Sequence, residues 1–193
     1  MKVLIIDNYD SFTYNIAHIV RASSTANIEI IKAGELNLPD VGKYDKIIFS
    51  PGPDLPRKGN IMESVLDTYE SRKSILGICL GLQAIVLFYG GNLLQLDQVA
   101  HGREIEVWKT GTESVILKTI PDAFIAGVYH SWIADPTKIP PCLRITCNSV
   151  QGNIMGVRHT NYDIEAVQFH PESIMTPYGN EMISNWLEER LKS

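Results

Sequence analysis

Short apolar blocks alternate with helical stretches through the first half of the chain. "KVLIID" reads as a strand, and "SFTYNIAHIVRA" follows with Phe12, Ile16, Ile19 and Val20 at the spacing of one helix face, capped by Asp10 or Ser11. "DKIIFS" is a second buried strand. "NIMESVLDTYES" reads as a helix with Asn60 as its cap and Glu63 three residues on, the spacing of a capping box. "SILGI" is the next strand and "LQAIVLFY" the next helix, stopped by Gly90 and Gly91. Strands separated by helical crossovers predict a parallel sheet covered on both faces, with ligands gathering at the carboxyl ends of the strands.

The second half is richer in two-residue alternation. "REIEVW", "ESVIL", "LRITCNSV", "NIMGVRH" and "DIEAVQF" predict antiparallel or mixed additions to the sheet. "NEMISNWLEERL" closes the chain as an amphipathic helix with Met182, Ile183, Trp186, Leu187 and Leu191 inward. No repeat or low-complexity linker interrupts the 193 residues. The expectation is one α/β domain over residues 1–193, an open, mostly parallel sheet flanked by helices and extended by antiparallel strands.

Composition narrows the function classes. With 45% hydrophobic and 20% charged residues there is material for a sizeable core. A net charge of -5, a pI near 5.5 and no Lys/Arg cluster remove the electrostatic basis for binding nucleic acid. The opening apolar run ends at Asp7, too early for a secretory signal, so a cytoplasmic location is expected. Ser74 to Leu96 carries no charged side chain, but Gly77, Gly81, Gly90 and Gly91, with Gln83, Asn92 and Gln95, argue against a membrane span. Alternation in "CLRITCNSV" puts Leu143, Ile145 and Cys147 on one strand face and Cys142 on the other, about 16 Å from Cys147 if extended, too far for a disulfide. Without a Cys-x-x-Cys pair or clustered histidines, no metal site is expected and the thiols are read as reduced.

Cys79 falls where the strand "SILGI" turns into the helix "LQAIVLFY". Such a junction forces its residue outward at the end of the sheet, and Gly77 and Gly81, two positions to either side, let strand and helix pack closely. The helix N-terminus behind it favours a thiolate, the reactive species. Without its glycines, Cys79 would read as one more small buried hydrophobe.

A thiolate needs a proton shuttle. His18 lies within a helix, and His101 and His159 in polar turn-like segments, so all three are read as surface residues. His130, in "VYHSW", follows a possible strand and can line a pocket. His170 ends "EAVQF" and enters "HPES", where Pro171 biases it toward an extended backbone that would put His170 and Glu172 on one side. A carboxylate there can hold the imidazole tautomer and stabilise its cation. Alone, "HPES" is an ordinary turn; with Cys79 at another strand end, a triad is the preferred reading. An oxyanion hole needs two N–H donors: Leu80, next after the nucleophile, and Gly52 in "SPGPD", where Pro51 and Pro53 have none to give.

Together, "GICLGLQ", "SPGPD" and "QFHPES", in this order and separation, resemble the class I, triad-type glutamine amidotransferases nearly end to end. "DNYDSFTYN" is similar to the subgroup serving chorismate-using enzymes, the small components of anthranilate synthase and of aminodeoxychorismate (para-aminobenzoate) synthase. The resemblance implies a catalytic set of Cys79, His170 and Glu172, with Gly52 and Leu80 as the oxyanion hole. It also implies that Gly52, Pro53, Asp54, Gln83, Ser131 and Trp132 bind L-glutamine. No metal or organic cofactor is implied in this chain; magnesium and chorismate belong to a larger synthase partner. The folate branch is slightly preferred over the tryptophan branch.

Three positions depart from the family pattern. Asp54 stands where a second loop glycine is usual, which disfavours a left-handed backbone and sets a negative charge near the substrate's carboxylate. Leu82 replaces a histidine or methionine, and Trp132 a commoner leucine whose replacement would narrow the pocket. The competing readings are another triad amidohydrolase, such as the GMP synthetase amidotransferase or a γ-glutamyl hydrolase, and a non-catalytic interaction subunit on the same scaffold. "DNYDSFTYN" speaks against the first and an intact Cys79, His170 and Glu172 against the second.

Overall fold

The computed structural model describes residues 1–189, for 97–99 the backbone alone. Strand β1 (Lys2–Asp7) sends Val3 and Ile5 to one side and Leu4 and Ile6 to the other, all fully buried, so both faces of the sheet must be covered. Helices α1 (Thr13–Ser23) and α4 (Gly179–Glu188) cover the first face with Ile16, Val20, Met182, Ile183 and Trp186. Helices α2 (Ile61–Tyr69) and α3 (Leu80–Phe88) cover the second with Val65, Leu66, Leu82 and Ile85. A buried lysine fastens α4: Lys46 Nζ donates to Trp186 O at 2.7 Å and lies 4.6 Å from the centre of the Trp186 ring.

The remaining strands are β2 (Asn27–Lys32), β3 (Lys46–Phe49), β4 (Ser74–Ile78), β5 (Leu93–Lys109), β6 (Ala123–Ala134), β7 (Leu143–Ser149), β8 (Ile154–His159) and β9 (Ile164–Val167). They form one sheet in the order β2-β1-β3-β4-β9-β8-β7-β5-β6. Pairing is parallel from β2 to β9 and antiparallel from β9 to β6, the parallel sheet with antiparallel additions that the patterning predicts. Asn60 caps α2 as expected, its side chain accepting from Glu63 N at 3.1 Å, while the Glu63 carboxylate accepts from Gly59 N.

Several local expectations are corrected. "ESVIL" is a run of turns rather than a strand; Ser114 Oγ and Val115 N donate to the buried Glu165 carboxylate, which holds the segment over the sheet without ladder pairing. Helix α1 starts one residue after Phe12, which is only half-buried; the Asp10 carboxylate, placed as the cap, accepts from Phe12 N at 2.8 Å. In β7 the register slips between Ile145 and Cys147, so Leu143 and Ile145 face one core and Cys147 the other. All three cysteines are free thiols. His159 is buried, its ring stacked on Tyr162 at 4.6 Å and its Nδ1 accepting from Asn161 N and Tyr162 N. Met182, Ile183, Trp186 and Leu187 point inward from α4 as expected; Leu191 lies outside the described residues.

Candidate active site

Cys79 stands between β4 and α3 with φ 52° and ψ -98°, a backbone state that costs a non-glycine residue energy and marks a sharp, outward-presenting turn. Its N–H still belongs to the sheet, donating to Val167 O at 2.8 Å. The flanking glycines are required by contact: a Cβ on Gly77 would lie 2.7 Å from Gly81 C, and one on Gly81 2.8 Å from Phe49 O. Gln168 Nε2 donates to Cys79 Sγ at 3.4 Å.

Two residues past Gln168 comes His170. The chain leaves β9 after Val167, and His170 begins a tight turn in which Ser173 N donates to His170 O at 3.1 Å. Pro171 and Glu172 are the central residues of this turn, which brings Glu172 to the same side as the imidazole, as expected. Nδ1 and Glu172 Oε1 are 2.6 Å apart, with the two side chains 3% and 0% exposed. Nε2 makes no hydrogen bond among the described residues. Burial alone would depress the imidazole's proton affinity; the Glu172 carboxylate, then Cys79, outweigh it and raise His170 well above the ordinary histidine range.

A cleft of about 890 Å³ opens over Cys79. Its lining includes Gly52, Pro53, Asp54, Gln83, Ser131, Trp132 and His170, so the expected substrate-binding positions share one cavity with the nucleophile. Gly52 is pressed between two elements: a Cβ there would lie 2.5 Å from Leu80 Cδ2 and 3.0 Å from Asn8 O. That contact brings the Gly52 backbone up against the first turn of α3, where Leu80 N has no intrahelical acceptor. Gln83 Nε2 donates to Trp132 O at 3.0 Å, tying α3 to β6, and β5 slips register opposite Ser131, between Gln95 and Ala100. Asp54 adopts no left-handed backbone; it is exposed and pairs with Arg57 at 3.7 Å. Leu82 is fully buried in the core on the α3 side.

Three further residues of the cleft, Phe12, Tyr129 and His101, carry no sequence signal that points to it. Phe12 and Tyr129 pack edge-on against His170, with ring centres 5.8 Å and 4.9 Å away. His101, exposed as expected, also lines the cleft against Tyr129. His130 does line it; burial, with a contribution from the charge of His170, lowers it to about 4, so it is neutral at neutral pH. Among the described residues no cluster of three His, Cys, Asp or Glu side chains is arranged to hold a metal ion, and no helix is long and apolar enough to cross a membrane. A thiol on a strained turn at the floor of a cleft and a buried imidazole-carboxylate pair on the next strand end suit acyl transfer through a covalent intermediate.

The same conclusion comes from known proteins. The class-I glutamine amidotransferase family matches residues 4–189. A Haemophilus influenzae protein described as a candidate anthranilate synthase component II is 38% identical over 187 residues, covering 97% of this chain and 96% of its own. The aminodeoxychorismate/anthranilate synthase component 2 of Bacillus subtilis is 35% identical over 188 residues, covering 96% and 95%. A Thermoplasma acidophilum structure described as a candidate GMP synthase subunit shares the fold at 22% identity, with a TM-score of 0.84 over 97% of this chain and 92% of that one. By family match and by relatives aligned along almost its whole length, this chain belongs to the class I glutamine amidotransferases.

Proposed function

We propose that this chain is the glutaminase subunit of a chorismate-using synthase in the cytoplasm, hydrolysing L-glutamine and handing the ammonia to a larger synthase subunit. The observation that carries the reading is Cys79 held at positive φ on a neighbouring strand end to the buried His170–Glu172 pair. Cys79 Sγ attacks the side-chain amide carbon of glutamine. The carbonyl oxygen takes up the displaced electron pair and is stabilised by the N–H groups of Gly52 and Leu80. His170 Nε2 gives its proton to the leaving nitrogen, the C–N bond breaks, and ammonia departs from a glutamyl thioester. His170 then takes a proton from water, whose oxygen attacks the thioester and releases glutamate and the thiol. Glu172 keeps Nδ1 protonated throughout, and Gln83, Ser131 and Trp132 hold the polar ends of the substrate. The route needs no cofactor in this chain; magnesium belongs to the chorismate site of the synthase.

Ammonia in bulk water is mostly protonated at neutral pH and cannot then attack an electrophile. Direct transfer within a complex avoids that loss, so hydrolysis is weak until the synthase docks. Full turnover by the isolated chain would contradict this coupling. The relatives carry both pathway names, and the test is to mix the purified chain with each candidate synthase subunit, glutamine being the only nitrogen donor. Aminodeoxychorismate assigns the folate branch, anthranilate the tryptophan branch, and both a shared subunit. Absence of either product from glutamine, where ammonium salts restore synthesis, defeats the reading.

A further inference from the structure

The stretch "DNYDSFTYN", which points to a subgroup but to no chemical role, forms the turn from β1 into α1. Two carboxylates tie it down. Asp7 Oδ1 accepts from Tyr9 N at 3.0 Å, Asp10 N at 3.3 Å and Thr13 Oγ1 at 2.8 Å, and Asp10 Oδ1 accepts from Phe12 N at 2.8 Å. Tyr9 sits in the left-handed region, φ 64°, an uncommon state for a non-glycine residue. The reversal at Tyr9 leaves Asn8 facing one catalytic element and Phe12 another.

Asn8 faces the loop that carries Gly52. Its N–H donates to Ser50 Oγ at 2.9 Å and its Nδ2 to Ser50 O at 2.9 Å, while Ser50 Oγ donates to Pro51 O at 2.8 Å. Ser50 N makes the last sheet bond, to Ile6 O; from Pro51 to Pro56 the loop makes no backbone-to-backbone hydrogen bond among the described residues. The height of Gly52 over the Cys79 turn therefore depends on Asn8, whose Cβ and O close on the same space beside Gly52 as the Leu80 side chain. Phe12, four residues on, packs against both His170 and Tyr129, and Tyr129 Oη is 3.0 Å from Ser173 Oγ, in the turn that carries His170 and Glu172.

We propose that this turn is a common mount for the two halves of the catalytic apparatus: Asn8 is a positioning residue for the Gly52 donor, and Phe12 a positioning residue for His170. The proposal rests on the glutaminase reading above. An oxyanion donor acts only once charge develops in the transition state, so its displacement lowers kcat and spares KM. A misplacement of about 1 Å is enough to cost about a hundredfold in rate.

The test pairs two reactions of Cys79. Hydrolysis of glutamine, measured in the complex with whichever synthase supports glutamine-dependent synthesis, needs the oxyanion hole. Alkylation by iodoacetamide does not: sulfur bonds to the methylene carbon, iodide leaves, and no oxyanion forms. Asn8→Ala is expected to lower kcat for hydrolysis about tenfold to a hundredfold, to leave KM within about threefold, and to leave the alkylation rate unchanged. Asn8→Asp keeps the side-chain volume while losing the Nδ2 donor, and is expected to show the same split if the alanine variant is unstable. Phe12→Leu is expected to lower kcat and also to move the pH dependence of alkylation, because His170 sits beside the sulfur. A kcat within about threefold of the parent for both Asn8 variants overturns the proposal, as does a parallel loss of hydrolysis and alkylation. An unchanged pH dependence for Phe12→Leu overturns its second half. A parent protein that is alkylated but hydrolyses no glutamine beside either synthase overturns the function itself and the proposal with it.

Discussion

Replacing Glu172 by glutamine keeps the shape of the side chain and an oxygen able to accept from His170 Nδ1, but removes its charge. In the native site Oε1 is 2.6 Å from Nδ1, both side chains are shielded from water, and Oε2 has no partner among the described residues, so solvent does little to screen the pair. Unit charges about 4 Å apart at an effective dielectric near 20 attract by about 4 kcal/mol, roughly a thousandfold in proton affinity. Burial opposes that attraction at His170. With Glu172→Gln that attraction is lost, only Cys79 still opposes burial, and above neutral pH the imidazole is unable to protonate the departing nitrogen. The kcat/KM for glutamine hydrolysis, followed from about pH 5 to 11 in the synthase complex, is expected to have its alkaline limb moved down by up to about three pH units from about 10, with the rate reduced about twofold at pH 7 and about a hundredfold at pH 9.

The same substitution has a defined effect on stability. The native pair raises the folded-state proton affinity of His170 above that of the unfolded chain. Its stabilisation is therefore complete below the ordinary imidazole pKa and is lost as pH rises through the raised one. Thermal melts of Glu172→Gln should fall furthest below the parent near neutral pH and approach it as pH rises into alkali. An alkaline limb within about half a pH unit of the parent's would refute the assignment of Glu172 as the group that holds His170 protonated.

Cys79→Ser is expected to reduce glutamine-dependent synthesis to background while ammonium salts still support synthesis in the complex; retained glutamine-driven synthesis would remove Cys79 as nucleophile. Gly81→Ala puts a Cβ 2.8 Å from Phe49 O, with no flexible side-chain end to yield, and is expected to cost about 1–3 kcal/mol in urea unfolding, so an unchanged midpoint would contradict the close packing of the turn. Asp54 and Arg57, with side chains 74% and 85% exposed, form a pair of the kind that contributes less than about 1 kcal/mol. Asp54→Asn should accordingly leave KM for glutamine within about fivefold, and a larger fall would show that the Asp54 charge reaches the substrate.

Features set by local chemistry were legible in the sequence. The Asn60 cap, the stop at Gly90 and the glycine-bracketed turn at Cys79 each depend on residues within a few positions, and each lies where the pattern puts it. Features set by pairing were not. The β7 slip that turns Cys147 to the opposite core answers to β8 across the sheet, and "ESVIL" has strand composition but is held by the Glu165 carboxylate. Phe12 has helix spacing, yet its neighbours are Tyr129 and His170, more than a hundred residues away in sequence. Gln168 reaches Cys79 only because β4 and β9 are adjacent, and neither strand announces the other.

That adjacency bears on how far the sequence can drift. Ile78 is in register with Val167, so Cys79 and His170 sit one and three steps beyond a matched pair of rungs. Their separation is measured out by the strand spacing of about 4.8 Å and by the count of residues after each rung, both properties of the main chain. Apolar side chains at Ile75, Leu76 and Ile78 and at Ile164, Ala166 and Val167 can exchange for one another over long descent without lengthening that ruler, in keeping with a fold retained at 22% identity. One residue inserted between Val167 and His170 would change the count itself, and no repacking of side chains could restore it.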